Sequence, residues 1–203
     1  MKLSPIYFIT DARPISLLHP LIYHVLKSGI TTIQLRDKLS SPKHIKEKAL
    51  AILPLIQKYR ANLIINDHLD IAYDLGLGVH LGMEDGDPLH ARKLLGSSLP
   101  IGITIHNQLQ RAQKYHTVAN YVGVGPIFPT STKKDARAVI GTEQLSTILT
   151  KSPLPVVAIG GIGLNNITKV AQARPQSIAL CSAICQALDP FKTAQRLLKL
   201  ALV

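Results

Sequence analysis

Eight short apolar runs, each trailed by a helix-like segment, constrain this chain more than any other feature. The runs are Ile6–Thr10, Thr32–Leu35, Leu63–Ile65, Val79–Leu81, Ile101–Ile105, Tyr121–Val124, Val156–Ile159 and Ile178–Leu180. Most are continuously apolar rather than alternating, the pattern of parallel strands covered on both faces. Between the second and third runs, Ile45, Ala49, Ile52, Leu53 and Ile56 form a helical stripe, with Lys43, Lys46, Glu47 and Lys48 around it. Pro54 falls inside that helix and is expected to kink it. Leu94–Leu95–Gly96 and Ala173–Arg174–Pro175 read as helix ends. Asp189 before Pro190 reads as the cap and first turn of a last helix through Leu197, Leu198 and Leu202. Eight strand–helix units in 203 residues fit one α/β domain over 1–203, a (β/α)8 TIM barrel. An open doubly wound sheet is the alternative, and it usually has fewer strands at this length.

Composition narrows the function. Apolar residues make up 46% and charged residues 17%, which is globular. No apolar run reaches membrane-spanning length. Met1 to Pro5 moves straight into a strand pattern with no signal-peptide core. Cys181 and Cys185 make no disulfide framework. A cytoplasmic location is therefore expected, with no membrane partner. The net charge of +11 suits either nucleic acid or anionic small substrates. Lysines and arginines form no dense run and aromatic residues are 4%, so no nucleic-acid partner is expected.

Polar groups follow several of the runs, at the end where parallel α/β folds place their sites. Alternation puts Gln34, Arg36 and Lys38 on one side of the second strand's exit. Arginine suits bidentate phosphate contact and lysine a point charge. An ion pair of these cations with Asp37 or another carboxylate is the competing reading. Asp67 and Asp85 follow adjacent strands, and two carboxylates describe a Mg²⁺ site completed by substrate phosphates. A cap role for Asp67 and a turn role for Asp85 compete with it. Gly160–Gly161 and Cys181–Ser182 follow strands seven and eight, the usual phosphate site of such a barrel. Pro129 to Gly141 is the one long connection and reads as a mobile lid, with an ordinary insertion as the alternative. His80, inside a strand, reads as a satisfied barrel residue rather than a metal ligand. His106 follows the fifth strand with no nameable partner, and the two cysteines read as packing.

These segments resemble the thiamine-phosphate synthase family. The matching stretches are Gln34–Leu35–Arg36–Asp37–Lys38, Ile64–Ile65–Asn66–Asp67, Gly78–Val79–His80–Leu81–Gly82 with Glu84–Asp85, Tyr121 to Lys133, and Ala158–Ile159–Gly160–Gly161–Ile162. The run Gly123 to Lys133 is the most specific. The resemblance implies a (β/α)8 barrel joining a hydroxymethylpyrimidine diphosphate to a thiazole phosphate, or its carboxylate form, with loss of pyrophosphate. It implies that Gln34, Arg36, Lys38 and Asn66 hold the pyrimidine diphosphate and that Asp67 and Asp85 hold Mg²⁺. Thr104 stands beside the pyrimidine and Lys133 contacts pyrophosphate. Thr130, Thr132, Gly161, Cys181 and Ser182 receive the thiazole phosphate. Arg36, Lys38, Thr104 and Lys133 are the expected catalytic groups. The segment from Ser131 to Gly141 would close over both substrates. A homo-oligomer is also expected.

The chain departs from the family pattern at Thr104, where serine is usual, at Met83, often glutamine, and at Cys181, typically valine. Ala171 to Pro175 lacks a usual Gly–Ala pair. Two other readings remain at this stage: a thiazole tautomerase of the same superfamily, and a non-catalytic phosphate-binding barrel.

Overall fold

The computed structural model describes residues 3–130 and 138–202. Eight parallel strands close into a barrel in chain order: β1 Ile6–Ile9, β2 Thr32–Leu35, β3 Asn62–Asn66, β4 Gly78–Leu81, β5 Ile101–Thr104, β6 Tyr121–Val124, β7 Val156–Ile159 and β8 Ser177–Leu180. The doubly wound alternative is excluded by β8, which pairs back onto β1 through Ile6–Ile178, Tyr7–Ala179 and Phe8–Leu180. The helices are α1 Ile15–Lys27, α2 Pro42–Lys58, α3 Leu69–Leu75, α4 Pro88–Leu95, α5 Leu109–Tyr115, α6 Gly141–Lys151, α7 Ile167–Gln172, α8 Ser182–Cys185 and α9 Pro190–Ala201. Among the described residues no helix is long and apolar enough to cross a membrane.

The continuous apolar runs have a direct physical use. Outward residues such as Ile6, Phe8, Ile33, Leu35 and Val79 join the helix stripes in a ring-shaped core. Inward residues Tyr7, Ile9, Ile64, Tyr121, Val157 and Ala179 fill the barrel, closed below by Leu3. Gly102 makes room for one of them: a Cβ there would lie 2.1 Å from the Tyr121 ring. α2 runs through Pro54 as one continuous helix, closed at its start by the Ser41 side chain. Asp189 caps α9 as expected, accepting from the Lys192 amide at 3.0 Å.

At the N-terminal end of the barrel Arg92 ties together the chain entering β5 and β6. Its guanidinium donates to the carbonyls of Leu99 at 2.8 Å and Val118 at 2.8 and 3.0 Å, to Asn120 at 2.8 Å, and to Gly96. Asn120 in turn accepts from the Ile101 amide at 2.8 Å. Arg92→Ala is expected to lower unfolding stability by about 2–3 kcal/mol, because it strands partly buried acceptors. Turnover at 25 °C should stay close to wild type, since this face lies opposite the mouth. Thermal denaturation paired with a rate assay checks both halves.

Candidate active site

The C-terminal ends of the strands gather most of the expected polar groups at one mouth. At the exit of β2, alternation sends Gln34 into the barrel and Asp37 out toward the helix layer. Gln34 is 3% exposed, and its amide nitrogen donates to the Tyr7 hydroxyl at 3.0 Å. Asp37 pairs with Lys48 of α2, not with Arg36 or Lys38. Its carboxylate also accepts from the amides of Leu39 at 2.9 Å and Ser40 at 3.0 Å. Burial pushes the Asp37 carboxyl up, but the Lys48 ammonium, Ser40 and those amides outweigh it and bring it down to about 2. This buried pair satisfies the loop from below and leaves Arg36 and Lys38 at the mouth. Thr10 fixes the Arg36 backbone on both sides, accepting from its amide at 2.9 Å and donating to its carbonyl at 3.1 Å.

Lys38 reaches Asp67, with Nζ 2.9 Å from Oδ2. The cap reading of Asp67 is not borne out: His68 precedes α3, with no side-chain cap. Asp67 instead sits in the left-handed region at φ 66, and its amide continues the sheet by donating to the His80 carbonyl at 2.9 Å. Short acidic and amide side chains tolerate that conformation. Its carboxyl meets that of Asp85. Burial and the shared hydrogen bond hold Asp67 above the usual carboxylate range. Burial pushes Asp85 up as well, but its bonds with Asp67 and the Gly82 amide, and the Lys38 charge, bring it below. The turn reading of Asp85 holds alongside this contact, since its Oδ2 accepts from the Gly82 amide at 3.0 Å.

Arg111 of α5 was not legible in the sequence. Its Nη2 donates to the Gly82 carbonyl at 3.0 Å, so the peptide that holds Asp85 is gripped from behind. Its Nε is buried and bonds to no described residue. His106 has a partner after all: its Nδ1 donates to the Gly125 carbonyl at 2.6 Å. That bond ties the end of β5 to the turn after β6.

On the other side of the mouth, Asn166 holds the β7 turn. It donates to the Gly161 carbonyl at 2.9 Å and accepts from the Gly163 amide at 2.8 Å. Gly161 has φ 66, and a Cβ there would lie 2.4 Å from the Pro129 carbonyl oxygen. Gly161→Ala is therefore expected to cost about 1–3 kcal/mol of stability and to disturb Pro129 and Thr130, which denaturant titration and kinetics would read. Cys181 precedes α8 and Cys185 is its last residue, with sulfurs 3.8 Å from the Thr10 and Ile9 carbonyl oxygens. Their mutual hydrogen bond, helped by Arg36, lowers the Cys181 thiol and raises that of Cys185. Asn66 ends β3, 8% exposed, and Thr104 ends β5. Thr130 follows β6, and Ser182 opens α8 after β8. Ser131, Thr132 and Lys133 lie outside the described residues, as does most of the expected lid.

A closed parallel barrel with cations, a carboxylate pair and glycine turns around one mouth defines a (β/α)8 enzyme for small anionic substrates. Comparison with known proteins sharpens this. The family model for thiamine monophosphate synthase matches residues 6–184, and the chain belongs to that family. A thiamine-phosphate synthase of Archaeoglobus fulgidus is 37% identical over 196 residues, covering 96% of this chain and 92% of its own. One from Caldicellulosiruptor bescii is 40% identical over 177 residues, covering 87% and 81%. The solved thiamine phosphate pyrophosphorylase of Pyrococcus furiosus superposes with a TM-score of 0.86 at 31% identity, over 97% of this chain and 95% of that one.

Proposed function

We propose that this chain joins a hydroxymethylpyrimidine diphosphate to a thiazole phosphate, or its carboxylate form, releasing pyrophosphate and forming thiamine phosphate. The observation that carries the site assignment is the Asp67–Asp85 contact with Lys38 2.9 Å from Asp67. Two touching carboxylates need a shared proton or a cation between them. Among the described residues no third acidic, histidine or cysteine side chain joins them. That donor set fits Mg²⁺, which keeps water and takes substrate phosphate oxygens for its remaining ligands. When bound, the ion supplies positive charge against the negative charge growing on the leaving pyrophosphate.

The chain's own groups account for the rest. Arg36, Lys38 and Lys133 are the cations for the diphosphate, stabilising the departing charge more than the ground state. Gln34, Asn66 and Thr104 orient the pyrimidine. Its electron-rich ring delocalises the positive charge left on the methylene carbon, so the thiazole nitrogen attacks directly and no protein nucleophile is required. Thr130, Thr132, Gly161, Cys181 and Ser182 hold the thiazole phosphate. A cytoplasmic location and a homo-oligomeric assembly complete the proposal, checked by fractionation and light scattering.

The test is product formation from both substrates by the purified protein, with thiamine phosphate read by oxidation to its fluorescent thiochrome. Metal-independent isomerisation of the thiazole carboxylate phosphate, with no coupling product, would instead assign a tautomerase.

A further inference from the structure

A continuous hydrogen-bonded chain crosses the barrel interior and joins two groups at the mouth. Gln34 donates to the Tyr7 hydroxyl at 3.0 Å, and Tyr7 meets the Tyr121 hydroxyl at 2.7 Å. Tyr121 is 3.2 Å from Nδ1 of His80, and Nε2 of His80 is 2.9 Å from the Thr104 hydroxyl. Both tyrosines are 1% exposed. The ring of Tyr121 lies edge-on to Tyr7 at 5.7 Å and stacked on His80 at 5.6 Å. Neither Gln34 nor Thr104 makes another side-chain hydrogen bond to a described residue.

Proton counting gives this chain a direction. A hydroxyl has one proton to donate, and a neutral imidazole has one. The Tyr7 oxygen accepts from Gln34, and its own buried proton has the Tyr121 oxygen as its one acceptor among the described residues, so Tyr7 donates to Tyr121. Tyr121 therefore donates to Nδ1 of His80. An Nδ1 that accepts carries no proton, so the His80 imidazole holds its single proton on Nε2. It donates to the Thr104 oxygen, which leaves the Thr104 proton free for the mouth. Gln34 likewise turns its carbonyl oxygen away from Tyr7. The two ends are held to opposite roles.

We propose that Tyr7, Tyr121 and His80 are a polarity relay that fixes Gln34 as an acceptor and Thr104 as a donor toward the substrate. They act as positioning residues and touch no reacting atom. The ligand selected is a heterocycle offering both an amino group and an unprotonated ring nitrogen. The aminopyrimidine of the proposed reaction offers both. Its 4-oxo counterpart reverses them, with a protonated ring nitrogen beside a carbonyl oxygen. A site with fixed polarity leaves its own groups unpaired against the wrong pattern, which is the strongest source of discrimination open to it. The inference deepens the proposed function and rests on it.

The experiment compares 4-amino- and 4-oxo-pyrimidinylmethyl monophosphates as competitive inhibitors, in wild type, Tyr7→Phe and Tyr121→Phe. Wild type is expected to prefer the amino compound by about tenfold or more. Each variant keeps its ring and cuts the relay, so the preference should fall toward one while the KM for thiazole phosphate stays put. In the wild-type protein, nitrogen NMR of His80 should show the proton on Nε2. A preference unchanged in the folded variants, equal weakening of both inhibitors, or a proton on Nδ1 would overturn the relay alone. Wild-type protein that neither makes thiamine phosphate nor binds either inhibitor would sink the proposed function with it.

Discussion

Asp67→Asn is expected to lower kcat/KM by about 10²–10³-fold at saturating Mg²⁺, the usual loss when one fixed electrostatic partner of a developing charge is removed. Asparagine is the informative substitution. Asp67 has φ 66, which asparagine tolerates and alanine resists, and its amide must go on donating to His80. The variant thus keeps the backbone and removes only the charge. Lys38, 2.9 Å away, loses its partner at the same time, so the KM for the pyrimidine diphosphate should shift as well. Asp85→Asn should cost less, because its side-chain oxygen can still accept from the Gly82 amide. Steady-state rates across a Mg²⁺ series separate the two, with the apparent metal affinity falling in both. An Asp67→Asn enzyme within threefold of wild type at every Mg²⁺ concentration would remove Asp67 from the metal site.

Lys48→Met is expected to lower unfolding stability by about 3–5 kcal/mol, because it leaves the buried Asp37 carboxylate without its counterion. For a chain of this size that corresponds to a melting temperature lower by roughly 10 °C. Replacing both partners, as in Lys48→Met with Asp37→Leu, should recover much of the loss, since the buried charge disappears. The pH dependence has a definite sign. The folded-state value for Asp37 lies at about 2, below its ordinary 3.8. Its contribution is therefore fully present above the ordinary value and lost as pH falls through 2. Without Lys48 the carboxyl titrates higher, so acid unfolding should begin at a higher pH. Denaturant curves from pH 2 to 7 measure both. Because Asp37 lies between Arg36 and Lys38, the variant should also bind pyrimidine diphosphate more weakly.

The barrel was legible because its strands are buried on both faces, and burial on both faces writes a continuous apolar run. β1 to β8 fall within about two residues of the expected runs, the ordinary uncertainty of element ends. The cap at Asp189 was legible because it is a local signal. The mouth was legible where a side chain follows directly from its strand, as with Gln34, Asn66, Asp67 and Thr104. What escaped were contacts between residues far apart in sequence. Tyr7 and Tyr121 are 114 positions apart, and no periodicity links them. A signal did exist, since a tyrosine inside a fully buried run needs a hydrogen-bond partner. Lys48 stood among the charges around the α2 stripe, and only the packing of α2 against the β2 exit shows it buried. Arg111 escaped for the same reason, because its grip on Gly82 depends on how α5 lies over the end of β4.

The central claim is that the Asp67–Asp85 pair at this mouth drives loss of pyrophosphate from a pyrimidine diphosphate in step with coupling to a thiazole. Its most direct test is the stoichiometry of the reaction, with pyrophosphate and thiamine phosphate counted together in Mg²⁺ and in EDTA. The account predicts equal amounts of both products in Mg²⁺, with neither in EDTA and little of either from Asp67→Asn. Folded wild-type protein that forms no thiamine phosphate in Mg²⁺, or forms it equally well in EDTA, would contradict it.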